Sequence, residues 1–234
     1  MKEFRVIELK EGVFELNNEV ARNLRETLRK EHTFLLNLMS SPGAGKTTLL
    51  IKTIEALKGE MSIAVMEADI DSDVDARAIS HTGAPVIQLH TGGMCHLDAE
   101  MTRQGIESLR DDIQDADSAS GICDADLIVL ENVGNLVCPA EFDTGATKNA
   151  MILSVPEGDD KPLKYPRMFQ ISDALIISKT DTLAVFDFDL DACIASAKNL
   201  NPNIEIFPLS AKTGEGMAAW LEWLRCNVKK HSGS

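Results

Sequence analysis

A chain of 234 residues, 44% apolar and 26% charged, is long enough for one α/β domain or two small ones with a substantial buried core. Its formal net charge of −14 argues against a nucleic-acid partner, which needs clustered Lys and Arg to neutralise phosphates, and its five scattered cysteines do not read as a disulfide framework. The opening MKEFRVIELKEG lacks the apolar stretch of a signal peptide and no run approaches a membrane span, so the expectation is a cytosolic protein with no membrane partner.

Residues 1–12 read as a charged lead-in. From Asn17 onward, with Asn17 or Asn18 as N-cap, Val20, Leu24 and Leu28 recur every four residues between charged ones, the stripe of a helix packed on the main body. Apolar runs and helical patterns then alternate. Strands are expected at 34–39, 63–67, 86–89, 127–131, 151–155, 174–178 and 204–209, and helices at 47–57, 73–81, 96–109, 189–200 and 216–228. This alternation predicts an α/β fold with a mostly parallel central sheet of about seven strands and helices on both faces. Such sheets bind ligands beyond the carboxyl ends of their strands, so motifs found there should converge on one site. The acidic segment 110–121, RDDIQDADSASG, reads as a surface loop or helix extension with solvated charge.

The stretch LLNLMSSPGAGKTTLL, residues 35–50, contains Ser40-x-x-x-x-Gly45-Lys46-Thr47, a phosphate-binding P-loop with serine at the first glycine position. Pro42, Gly43, Ala44 and Gly45 form the turn whose N–H groups face a phosphate chain, and the helix opening at Lys46-Thr47-Thr48 adds its positive end. Lys46 supplies charge to the β- and γ-phosphates, and the Thr47 hydroxyl can complete a Mg²⁺ shell. The flanking strand and helix signals are the context the motif requires; without them it would be a turn with a solvated lysine. After the next strand comes Glu67-Ala68-Asp69-Ile70-Asp71, where Asp69 is the candidate Mg²⁺-linked acid, ahead of Asp71 and Asp73, although acidic loop residues are often merely solvated. The run 127–130 leads into Glu131-Asn132-Val133-Gly134, the form of a Walker-B and γ-phosphate-sensing segment. Glutamate in place of aspartate there points to contact with Mg²⁺ through water, with the Gly134 N–H as the phosphate reporter.

Ser178-Lys179-Thr180-Asp181 matches the Asn-Lys-x-Asp signature of GTPases except at its first position. A carboxylate at Asp181 accepts from N1–H and the exocyclic amine of guanine, and adenine offers no such donor pair. Lys179 can lay its stem along the base. Ser210-Ala211-Lys212 resembles the loop whose backbone reads the guanine oxygen. Together behind a P-loop these make GTP, with GDP as product, the expected nucleotide, and serine for asparagine at 178 is expected to loosen the pocket.

A second chemical centre stands at Gly92-Gly93-Met94-Cys95-His96-Leu97-Asp98-Ala99. Cys95 and His96 at a loop-to-helix junction offer two ligands suited to Zn²⁺ or Ni²⁺, or else a small buried hydrophobe and a helix-start residue. Cys138 is the natural third ligand. It follows Gly134 by four residues, so the two lie at most about 13 Å apart. His90 is a candidate auxiliary ligand or an exposed strand end; Cys123, Cys193 and Cys226 read as buried or incidental.

The combination SSPGAGKTTLL, GGMCHLDAEM and ENVGNLVCPAEFD resembles the HypB family of hydrogenase nickel-incorporation GTPases, within the dimerising signal-recognition and MinD-like class of P-loop proteins, over about residues 34–216. The resemblance implies nickel delivery to a hydrogenase large-subunit precursor, a HypA-type partner, a GTP-promoted homodimer, and a metal site at its interface with ligands Cys95, His96 and Cys138. The urease-accessory relatives carry a Cys-Pro-His order, whereas Cys95 and His96 are adjacent. An amino-terminal cysteine cluster and a histidine-rich tract, known in some relatives, do not occur in this sequence, so the expected metal site is the one in the GTPase domain, and segment 110–123 is longer than usual. The expected organisation is a lead-in and amphipathic helix at 1–33 packed on a P-loop GTPase domain at 34–234. The expected activity is slow GTP hydrolysis. Competing readings are a urease-type nickel accessory GTPase, an ATP-dependent ligase or kinase of the same fold, and a non-catalytic metal store.

Overall fold

A computed structural model describes residues 9–69, 73–116 and 125–233. Asp71, Cys123, the first eight residues and the end of the acidic segment therefore lie outside the described residues.

Seven strands, β1 (Phe34–Ser40), β2 (Ile63–Asp69), β3 (Val86–His90), β4 (Leu127–Glu131), β5 (Lys148–Ser154), β6 (Ala174–Ser178) and β7 (Glu205–Pro208), form one sheet in the order β3-β2-β4-β1-β5-β6-β7. Every neighbouring pair is parallel. The central strands are apolar throughout because both sheet faces are covered. Along β1, Phe34, Leu36 and Leu38 pack with α2 (Lys46–Leu57) and α8 (Met217–Ser232) on one face. Leu35 joins α1 (Leu9–Lys30) and α4 (Ala99–Ala116) on the other, and Met39 joins the cluster of α6 (Pro166–Ile171) and α7 (Leu190–Leu200) there. The period-two alternation of a strand thus divides the core between two layers of helices. The short helices α3 (Val74–Ser80) and α5 (Lys161–Lys164) complete the set.

Several expected boundaries move. α1 begins at Leu9, not Asn17, and continues through what reads as a lead-in; Asn17 lies mid-helix with its amide engaged across the fold, so it is not an N-cap. α4 starts at Ala99 rather than residue 96 because the Asp98 carboxylate accepts the Met101 N–H, and Asp98 therefore caps the helix. Residues 110–116 extend α4. β5 starts three residues early, at Lys148, where Asn149 N–H is held by the Asp173 carboxylate. α5 and α6 are additions to the expected helices, each with proline in its first turn, where the missing N–H costs nothing.

The P-loop follows β1 at the middle of the sheet, with β4 and β5 beside it, so the carboxyl ends of three strands meet there. A buried amide ladder crosses these strands: Asn132 Nδ2 donates to Asn37 Oδ1 at 3.0 Å, and Asn37 Nδ2 donates to Asn149 Oδ1 at 2.9 Å. Every rung is paired, which is what a polar group inside a sheet core requires.

Candidate functional site

Gly43 and Gly45 adopt φ of 75° and 100°, a left-handed region that glycine enters at little cost because it has no Cβ, and this turns the loop into the start of α2. Ser40, the last residue of β1, is extended and has no need of glycine's freedom. Its hydroxyl instead accepts from Lys46 Nζ at 2.9 Å and donates to the Ser41 carbonyl at 2.6 Å. Ser41 donates to the Glu157 carboxylate, whose other oxygen accepts from the backbone and hydroxyl of Ser154 at 2.8 and 2.7 Å. Glu157 thereby ties the P-loop to the end of β5, a role no sequence motif announces.

Beside Lys46, Thr47 Oγ1 donates to Glu131 Oε1 at 3.1 Å. Glu131 and Glu67 are register partners on β4 and β2, so their side chains emerge next to each other. With Asp75 of α3 they bring three carboxylate oxygens within 4.8 Å of one another. Burial, then the neighbouring Glu131 carboxylate, raises Glu67 to about 8. Burial likewise raises Glu131 to about 7, against the opposing pull of Lys46. One oxygen of each glutamate is buried without a hydrogen-bond partner among the described residues. Buried carboxylates of this kind are relieved by a cation, and a hard oxygen-ligand set beside a P-loop threonine fits Mg²⁺. Asp69 ends β2 opposite His90 and lies close enough to act electrostatically on both glutamates. Glu67 and Asp75 were absent from the sequence-derived set; the signal that could have found Glu67 is an acid that directly follows the apolar run 63–66 of β2.

Gly134 lies against the P-loop: a Cβ there would stand 3.1 Å from the Pro42 ring and 3.2 Å from its backbone. Only glycine allows this approach without displacement. On the far side of the loop, Ser178 Oγ donates to the Ala44 carbonyl at 2.7 Å and Lys179 Nζ to the Gly43 carbonyl at 2.7 Å. The substitution at 178 thus retains a direct tie between this loop and the P-loop. Asp181 accepts from Ser210 Oγ at 2.6 Å. Ala44, Gly45, Thr48, Lys179, Asp181, Ser210, Ala211 and Lys212 share one cavity of about 390 Å³, so the P-loop and the two candidate base-reading stretches converge.

The Cys95, His96 and Cys138 ligand atoms also lie within 4.8 Å of one another. Thr91 Oγ1 donates to the Met94 carbonyl at 2.6 Å and folds the loop that presents Cys95. Asn135 Oδ1 accepts from Val137 N–H at 2.7 Å and Cys138 N–H at 3.4 Å, shaping the turn that presents Cys138. Burial lowers the His96 imidazole, favouring the neutral form that ligates, while the facing Cys95 thiol raises Cys138. Metal uptake by such a pair releases thiol protons. The His96 ring stacks on Phe142, centroids 3.9 Å apart and planes at 13°. Cys193 is fully buried and Cys226 exposed, both apart from this cluster; His90 is exposed at its strand end.

Comparison with known proteins gives a consistent picture. Residues 34–208 match the family described as CobW/HypB/UreG, nucleotide-binding domain. The chain is 45% identical to the hydrogenase maturation factor HypB of Azotobacter chroococcum, over 96% of this chain and 70% of the relative. It is 44% identical to that of Escherichia coli K12, over 96% and 73%. The crystal structure of HypB from Helicobacter pylori in complex with nickel superposes with a TM-score of 0.83 at 36% identity, covering 92% of this chain and 96% of that one. Signal recognition particle 54 kDa protein from Aeropyrum pernix, at 13% identity and a TM-score of 0.54 over 96% of this chain and 57% of that one, shares the fold.

Proposed function

This chain belongs to the HypB family of hydrogenase maturation factors, and from that premise we propose that it is a slow, switch-like GTPase that binds nickel and releases it during maturation of a nickel–iron hydrogenase. In this reading residues 34–234 form the GTPase domain and 1–33 an amino-terminal helical element packed on it. Lys46 and the N–H groups of residues 43–48 hold the phosphates. Thr47, with Glu131 and Asp69, and with Glu67 and Asp75 nearby, organises Mg²⁺, which supplies charge neutralisation for phosphoryl transfer to water. Lys179, Asp181 and the 210–212 loop select guanine. Gly134, whose N–H reports the γ-phosphate, connects the nucleotide to the metal ligand. Nickel is the cargo at Cys95, His96 and Cys138, a soft donor set that also accepts Zn²⁺. The homodimer, a HypA-type nickel chaperone and the hydrogenase large-subunit precursor are the partners that follow from this role.

The observation that carries the reading is the shortness of the path between the two chemistries. Gly134 touches Pro42 of the P-loop, and Cys138 follows four residues later in a turn anchored by Asn135. A change that moves Gly134 therefore moves a metal ligand. Size-exclusion chromatography of the nickel-loaded chain, first with GDP and then with a non-hydrolysable GTP analogue, tests it with nickel assayed in each peak. A larger species with an altered nickel content in the triphosphate state is expected. The same elution and nickel content in both states would overturn the switch.

A further inference from the structure

We propose that α1 is the brace of the metal site and that Asn17 is its principal positioning residue. The inference rests on the nickel reading above and goes beyond it.

Sheet pairing does not by itself fix the distance between the two ligand-bearing segments. Cys95 and His96 follow β3, Cys138 follows β4, and β2 lies between those strands. Cys95 and His96 sit in irregular backbone, and Cys138 opens a single 3-10 turn, 138–140, that follows an irregular stretch. A metal ion, however, requires its donors at about 2.0–2.3 Å, a tolerance that loose loops do not meet without support.

One side chain spans the gap. Asn17 Nδ2 donates to the Asp143 carbonyl at 2.9 Å, and Asn17 Oδ1 accepts the Ala99 N–H at 2.9 Å. Ala99 comes three residues after His96 and Asp143 five after Cys138, so both bonds end close behind the ligands. A carboxamide carries a donor and an acceptor on one planar group, as this bridge requires. Three residues earlier on α1, Phe14 packs against Phe142 with ring centroids 5.1 Å apart, and Phe142 in turn stacks on His96. Two turns further along the helix, Arg25 Nη2 donates to both oxygens of the Asp143 carboxylate, at 2.7 and 2.9 Å. α1 itself is fixed by Leu24 and Leu28 in the core shared with α4. Outer partners that orient ligands in this way typically account for about 10–100-fold in metal affinity.

The full chain and its Asn17→Ala, Asn17→Asp and Asn18→Ala variants would be titrated with nickel through the thiolate-to-nickel charge-transfer band, with GDP affinity measured alongside. Asn18 is exposed on the same helix and serves as the control. Asn17→Ala should weaken nickel about 10–100-fold and alter the band, with GDP affinity within about two-fold of the parent. Asn17→Asp, which keeps only the acceptor for Ala99, should fall between. Unchanged nickel affinity in Asn17→Ala overturns the brace, and so does an equal loss of nickel and GDP affinity, which is the mark of general loosening.

A metal-free arm separates the two failures. Phenylarsine oxide bridges two neighbouring thiols through arsenic, with release of water, and its capture by Cys95 and Cys138 is scored against a Cys138→Ser blank. If the parent takes up no nickel but Asn17→Ala slows arsenical capture, the nickel reading falls and the brace stands. If capture is equally fast in both, the brace falls.

Discussion

Glu67 and Glu131 show most directly how single residues reveal a function. Two carboxylates side by side on neighbouring buried strands are costly unless a proton or a cation is shared between them. The folded form holds the Glu67 proton up to about pH 8, against an ordinary glutamate value of 4.5. A raised folded value means that its contribution to stability is complete below about pH 4.5 and is lost as pH rises through about 8. Thermal unfolding of EDTA-treated protein should therefore show a midpoint that falls between about pH 4.5 and 8 and levels off above that. In Glu67→Gln the fall should be shallower, with the midpoint higher than the parent's by about 5 °C at pH 8.5. Added Mg²⁺ should restore the parent and leave the variant little changed. Parallel curves for the two proteins would remove Glu67 from the titration. Ser178 carries a different lesson at the same scale: its hydroxyl engages Ala44, so the expectation of a loosened pocket does not take account of a bond that serine does make.

Among the elements, α1 has the largest gap between its pattern and its role. The stripe of Val20, Leu24 and Leu28 predicts a helix packed on the main body, and Leu28 is 1% exposed against α4. Nothing in that stripe marks the polar residues on either side, which reach the loops behind Cys138 and His96. The two kinds of contact should separate by measurement. Leu28→Ala should cost about 2–5 kcal/mol in urea unfolding through the cavity it leaves. Arg25→Ala should cost about 1 kcal/mol or less, because its pair with Asp143 is partly solvated, with side chains 40% and 38% exposed. A larger loss from Arg25→Ala than from Leu28→Ala would mean that the helix is held by charge rather than by burial.

On the scale of the molecule, the sheet brings two chemistries together at its carboxyl edge and leaves a short loop between them. If nucleotide and nickel are coupled through residues 134–138, thermodynamics requires the coupling to be reciprocal. The factor by which a GTP analogue changes nickel affinity, expected within about 5–150-fold, must equal the factor by which nickel changes affinity for the analogue. Isothermal titration of each ligand in the presence and absence of the other checks this. Two factors that agree near unity would mean that the loop transmits nothing.

The sequence by itself determined the fold class, the seven strands, the P-loop and the family, because these depend on local signals: apolar period, glycine placement and short contiguous motifs. It also supplied Cys95, His96 and Cys138 as candidates, since adjacent ligands and a nearby strand end are visible along the chain. Only the tertiary structure decided that Glu67 and Asp75 join Glu131, that Glu157 anchors the P-loop, and that Asn17 bridges the segments behind His96 and Cys138. Asn17 stands 126 residues from Asp143 and 82 from Ala99. Such pairs leave no local pattern, because strand register and helix docking alone bring them within hydrogen-bonding distance.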